Sequence, residues 1–291
     1  MKVASAAILI LLQIVLHSGQ ASAEKYTFYV QSDQHLAFAR EICIEALRKA
    51  GLDAGFEPFP VAAENRLDAE MASGKLHLAF IPPNANRLAL EGRQLIAAIR
   101  IPLERGLLGS RVCLVRGTDK DLLKDVKSLE AFRRFKVGQG YGWGDIDVYA
   151  AAGVSVVEAP FTSQSAPLRA LASGHFDLLP MGASEFQAFL DRSKEEGLGI
   201  VADNHIVIRY PWFRFIWVSK TAPNAAALLE GLERGLDIMA RDGSFIRIFE
   251  HYKGKIDTAV FRGRTSIELA SPYAQASDIP AKYRHLLIEA R

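Results

Sequence analysis

An α/β protein of two lobes, with mainly parallel sheets joined by a two-strand hinge, is the fold class that three observations predict for this 291-residue chain. A short motif recurs 100 positions apart, the elements around each copy follow the same order, and two similar extended segments stand between and after the copies.

The motif is Met71-Ala72-Ser73-Gly74-Lys75-Leu76-His77-Leu78, echoed by Leu171-Ala172-Ser173-Gly174-His175-Phe176-Asp177-Leu178. Each copy reads as a helix end followed by a strand. A glycine in the left-handed conformation terminates a helix, and the apolar run after it suits a buried parallel strand. Upstream, Tyr26 to Val30 predicts a strand. Leu36 to Ala50 places Leu36, Ala39, Cys43, Leu47 and Ala50 on one helical face and stops at Gly51. Phe56 to Val61 gives the next strand and Asn65 to Ser73 the next helix. The second copy follows suit with a strand at Phe135 to Val137, a helix at Asp145 to Ala152, a strand at Val154 to Val157 and a helix at Ala166 to Ser173. Two strand-helix-strand-helix-strand units argue for two α/β lobes with right-handed crossovers.

The extended segments are Arg111 to Arg116 and Arg214 to Lys220, each a strand bounded by basic residues. Chain crossings beside them predict residues 24–115 and 214–291 as lobe one and 116–213 as lobe two, with a ligand-gated closure about the paired strands. A long helical region from Asn224 to Tyr252, broken at Asp242-Gly243, and a polar end complete the chain.

The first residues predict export. Met1-Lys2, an apolar run from Val3 to Leu16 and the small residues Ala21-Ser22-Ala23 before Glu24-Lys25 have the order of a secretory signal peptide. The run is short of the roughly 20 apolar residues that a membrane span needs. Removing residues 1–23 leaves 268 residues and takes only Lys2 from the 35 basic residues, giving 34 against 33 acidic ones. That balance carries no basic footprint for nucleic acid. The two cysteines, Cys43 and Cys113, do not fall at the cleavage point, so no lipid anchor attaches there and a soluble periplasmic protein is expected. They could pair in an oxidising compartment, but their apolar contexts favour buried free thiols.

Taken in order, these motifs, together with Ser128-Leu129-Glu130 leading into Val137-Gly138 and Ala240-Arg241-Asp242-Gly243-Ser244 through His251-Tyr252-Lys253-Gly254, resemble the periplasmic solute-binding proteins of the amino-acid-type ABC importers, the type II two-lobed class. The resemblance covers nearly the whole mature chain. It implies a small-molecule ligand held between the lobes, an inner-membrane ABC permease or a sensor as partner, a monomer and no cofactor. It also implies an arginine after the third strand of lobe one that grips a carboxylate; the matching residue is Arg87, after Asn84, and guanidinium suits that task. Backbone N–H groups at a helix start in lobe two assist, and the matching turn is Gly140-Tyr141-Gly142-Trp143-Gly144-Asp145, whose glycines let N–H groups approach an anion. Asp145 has a competing role as a helix cap, and Tyr141 and Trp143 either stack on a ligand or fill the lobe surface. Tyr29, Gln31 and Ser32 follow strand one, where ligands of such sheets bind. The chain departs from the pattern at the amine position, where Gly182 replaces an aspartate. Glu185 either reaches the ligand instead or lies on the solvated face of the next helix.

Other functions find less support. Gly138-x-Gly140 follows a strand, but Trp143 stands where a dinucleotide fingerprint needs its third glycine. No Gly-x-Ser-x-Gly elbow and no His-Glu-x-x-His zinc motif occurs. An exported dehydratase-like enzyme of the same fold would use Glu185, Asp145 or Glu158 as general acid or base, and a sensory binding protein would use the same closing lobes without transport. His77, in a strand, reads as a satisfied core residue.

Overall fold

The computed structural model describes residues 26–31, 34–59, 64–159, 163 and 165–288. The expected signal peptide and Ser32 lie outside them. Lobe one begins with strand β1 (Tyr26–Gln31), helix α1 (Ala37–Lys49), β2 (Ala54–Phe59), α2 (Glu64–Ala72), β3 (Leu78–Ile81), α3 (Ala85–Gly92) and β4 (Ile96–Ile99). Helix α1 forms because Phe38, Ala39, Ile42, Cys43, Ala46 and Leu47 recur at helical spacing and all are buried. It stops where Gly51 turns left-handed at φ 76°. Both repeated glycines do the same, Gly74 at φ 80° and Gly174 at φ 78°. At Gly74 an added Cβ would also sit 2.7 Å from the Thr221 carbonyl oxygen, so close approach adds to the demand of the turn.

The chain continues through β5 (Ser110–Arg116), α4 (Leu129–Phe132), β6 (Lys136–Gly140), α5 (Asp145–Ala151), β7 (Ser155–Ala159), α6 (Ser165–Ala172), β8 (Leu179–Gly182), α7 (Phe186–Glu195), β9 (Ile200–Ala202) and β10 (Ile206–Arg209). It then returns as β11 (Phe215–Ser219), α8 (Ala225–Asp242) and α9 (Ser244–Lys253), and ends with β12 (Thr265–Glu268) and short 3-10 turns. No helix among the described residues is long and apolar enough to cross a membrane.

Two five-stranded sheets organise the lobes. The first has the order β2-β1-β3-β11-β4, with β1 parallel to β2 and β3 while β11 runs antiparallel to both its neighbours. The second has the order β12-β10-β5-β8, with β9 also on β5; only β10 and β12 pair parallel. A separate parallel pair, β6 and β7, joins it through a bridge from Val137 to Leu178. The α/β character and the two lobes follow the sequence, whereas the sheets are mixed rather than mainly parallel. Apolar runs report burial on both faces and carry no information about direction, so β11 enters antiparallel without any mark in its composition.

The connections also differ from a two-strand hinge. β5 pairs within the second sheet, so the first crossing precedes it, and residues 110–115, expected in lobe one, pair with β8, β9 and β10. A second crossing separates β10 from β11. The C-terminal segment makes two more: Phe261 is buried in the core of lobe one, Ile267 on β12 in the core of lobe two, and Ile279, Tyr283 and Leu286 in lobe one again. Inside lobe two, successive β5 side chains serve opposite layers, Cys113 and Val115 one and Leu114 the other. Cys43 and Cys113 are free thiols, each buried in a different lobe's core. His77 is buried and satisfied, its Nδ1 accepting from the Tyr29 N–H at 3.1 Å and its Nε2 facing the Pro223 carbonyl at 3.2 Å.

Candidate functional site

Between the lobes lies a cleft of about 460 Å³. Its lobe-one wall is built by Gln31 at the end of β1, Ile81 and the following Pro82-Pro83, and Arg87 on α3; its lobe-two wall by Trp143, Gly144 and Asp145 before and on α5, by Met181 on β8, and by Ser184 and Glu185 after it. These positions follow from the folding of each lobe, since the loops leaving the carboxyl ends of β1, β3, β6 and β8 all open toward the other lobe. Trp212 and Arg214, on the crossing from β10 to β11, Arg111 on β5 and Lys253 at the end of α9 also line it.

The charged groups in this cleft are largely paired. Arg87 is almost fully buried, its Nε donating to Asp68 Oδ1 at 2.7 Å and its Nη1 to the Pro82 carbonyl. Arg111 donates through Nη2 to Asp145 Oδ2 and through Nε to the Tyr210 hydroxyl at 2.8 Å; that hydroxyl in turn donates to Asp145 at 2.7 Å. Arg214 donates through Nε to Glu104 at 2.6 Å, through Nη1 to the Phe80 carbonyl at 3.1 Å and through Nη2 to Glu185 at 3.2 Å. Glu104 also accepts from the Ser184 hydroxyl. Breaking the Arg87–Asp68 or Arg111–Asp145 pair costs about 3–5 kcal/mol because the surviving buried charge loses its carboxylate or guanidinium partner.

Two of the carboxyls sharing Arg214 are driven apart. Burial acts to raise Glu104, but the charges of Arg214 and Lys253 outweigh it and hold the carboxyl below its usual range. Glu185 goes the other way, raised by burial and by Glu104 beside it against the pull of Arg214, Arg111 and Lys253. No group of three or more His, Cys, Asp or Glu side chains that would hold a metal occurs among the described residues.

The residues singled out from sequence fall in different places. Gln31, Arg87, Trp143, Gly144, Asp145 and Glu185 line the cleft. Gln31 is engaged as well, its Oε1 accepting from the Phe80 N–H at 2.7 Å. Asn84 caps α3, accepting from the Arg87 N–H at 2.8 Å, and is not among the lining residues. Tyr29 is 46% exposed and stacks on His77, and Tyr141 is 65% exposed; neither lines the cleft. Gly142 takes φ 71° at the tip of the turn. Asp145 does not cap the helix it begins: Gly144 holds the cap position, and the Asp145 carboxylate faces Arg111. Glu185 stands at the start of α7 and turns into the cleft rather than onto a solvated helix face. Arg111, Arg214, Lys253 and Trp212 were not singled out. The signal for the two arginines was present, since both bound the extended segments beside the crossings.

No family model matches the chain, and no curated protein matches it in sequence. Solved structures do match. The GluR0 ligand-binding core in complex with L-glutamate superposes with a TM-score of 0.57 at 13% identity, covering 80% of this chain and 100% of that one. An ancestral arginine-binding protein bound to arginine gives 0.53 at 19% identity, covering 78% and 97%. A periplasmic His/Glu/Gln/Arg/opine family-binding protein from Silicibacter pomeroyi in complex with lysine gives 0.53 at 14% identity, covering 79% and 97%. With its two lobes, mixed sheets and intervening cleft, the chain has the fold of the type II two-lobed periplasmic binding proteins.

Proposed function

We propose that the protein is an extracytoplasmic solute-binding protein that captures a small polar solute, an amino acid or related carboxylate, in the interlobe cleft and presents it to an inner-membrane ABC permease. The observation that carries this reading is the cleft itself: its walls come from both lobes, and arginines stand on both sides and at the crossing. A ligand touching both walls favours the closed arrangement by its differential affinity for it. The similarity in fold to binding proteins bearing arginine, lysine or glutamate supports the same reading.

The site on this reading comprises Gln31, Arg87, Trp143, Gly144, Asp145 and Glu185. Periplasmic location and action as a monomer belong to the same proposal. The test is a thermal-shift screen against amino acids, small carboxylates and polyamines, followed by X-ray scattering of the free and ligand-soaked protein. A binder is expected to raise the melting temperature by mass action and to reduce the radius of gyration. Identical scattering with every compound in the screen overturns the proposal.

A dehydratase-like reading is favoured by one observation, the raised carboxyl of Glu185 within the cleft, which is the property of a general acid. Turnover of a bound compound, lost in Glu185→Gln, would establish it over simple binding.

A further inference from the structure

We infer that the cleft takes a small organic anion bearing carboxylate but no ammonium group, with the Lys253 ammonium and the Trp212 indole N–H as donors to it. This rests on the binding-protein reading above and narrows its ligand.

The balance of charge in the cleft favours an anion. Four cations line the cleft, Arg87, Arg111, Arg214 and Lys253, against two carboxylates, Asp145 and Glu185. Asp68 stands behind Arg87 and Glu104 behind Arg214, each 1% exposed. Three guanidinium groups are thereby matched, Arg87 by Asp68, Arg111 by Asp145 and Arg214 by Glu104. Lys253 is different. Among the described residues no carboxylate lies within ion-pair distance of its ammonium, whose close neighbour is the Phe38 ring, 5.0 Å from Nζ to the centroid. Its charge still bears on both Glu104 and Glu185, opposing the effect of burial on each.

A ligand amine would meet positive charge. A guanidinium already paired with a carboxylate repels an ammonium brought to the same carboxylate. Asp145 already accepts from Arg111 and Tyr210. Glu185 lies 3.2 Å from Arg214 and 4.0 Å from Arg111. A ligand ammonium on either carboxylate would sit against a guanidinium.

Trp212 is 1% exposed and lines the cleft, and its Nε1–H is buried without a hydrogen-bond partner among the described residues. An indole N–H only donates, so what completes it is an acceptor. Lys253 and Trp212 thus ask for the same chemistry. The apolar surfaces of Leu108, Met181, Phe189 and the two indoles in the lining fit a carbon skeleton better than a bare inorganic oxyanion.

Calorimetric titration with matched pairs tests this: succinate with aspartate, glutarate with glutamate, propionate with alanine, and inorganic phosphate alongside. One amine-free carboxylate is expected to bind at least tenfold more tightly than its amine-bearing partner. Lys253→Met is expected to weaken that binding roughly ten- to hundredfold, the scale of a charge-assisted hydrogen bond, and Trp212→Phe several-fold, with Lys253→Met keeping its melting temperature because Lys253 is partly exposed. An amine-bearing member that binds as tightly as its partner, with the lobes still closing in scattering, overturns the ligand class and leaves the binding-protein reading standing. Phosphate binding tighter than every carboxylate overturns the organic skeleton, and wild-type affinity in both variants overturns the two donors. Absence of binding by any of these compounds and by the wider screen removes both proposals together.

Discussion

Arg214 serves Glu104 and Glu185 at once, and the pH dependence of the two carboxyls has opposite sign. A carboxyl whose folded pKa lies above its unfolded value binds a proton more readily in the folded protein, so its charge weighs on stability above that pKa and the burden lifts as pH falls through it. Glu185→Gln is therefore expected to raise the melting temperature at neutral and alkaline pH and to have little effect in acid. Glu104, held low, contributes stability that is present above the ordinary carboxylate range and lost as pH falls through its folded pKa, so Glu104→Gln costs most at neutral pH and least in acid. Thermal melts of both variants across pH check this, and parallel shifts at every pH would contradict it. Residues beside strand ends, such as Gln31, Trp143 and Asp145, were legible in the sequence because topology alone brings those loops together. The pairings were not. Arg111 meets Asp145 across 34 positions and Arg214 meets Glu104 across 110, and no local pattern records a partner that far away.

Helices α1 and α8 touch backbone to backbone at Gly235, where an added Cβ would lie 1.9 Å from the Ala46 carbonyl oxygen. Gly235→Ala forces the helices apart and is expected to cost about 1–3 kcal/mol or more, read as a lowered denaturant midpoint. Gly92, at the end of α3, has nothing within 4 Å of such a Cβ. Gly92→Ala is expected to be neutral or to stabilise by about 0.4–1 kcal/mol through the unfolded chain. An equal loss at both positions would rule out the close contact as the cause. The long helices were readable because their apolar faces recur over several turns, and the glycines that end α2 and α6 announced themselves by repetition. Strands β4, β9, β10 and β12 are 3 or 4 residues long. A run that short has no period to detect, and helix α7 after Glu185 buries Phe189 and Ser193 while Phe186 and Leu190 pack in partly.

Four chain passages between the lobes couple them more closely than two would. Ile267 is buried in lobe two and Leu286 in lobe one, both on the C-terminal segment. Each alanine substitution is expected to cost about 2–5 kcal/mol. If the passages make the lobes one cooperative unit, calorimetry shows a single transition that Ile267→Ala and Leu286→Ala both move; two resolved peaks, each sensitive to one variant, would show the lobes to be independent. The two-lobe plan was visible from the repeated motif, but the extra passages were not, because β12 lies in a stretch whose polar composition resembles that of a loop. The placement of β12 also sets an order of events for a chain that emerges amino end first. Until residues 265–286 are free, lobe two lacks an edge of its sheet and lobe one lacks Tyr283 and Leu286 from its interior. Neither half can reach its final form before then, so the nascent polypeptide completes both lobes together, once that single stretch has emerged.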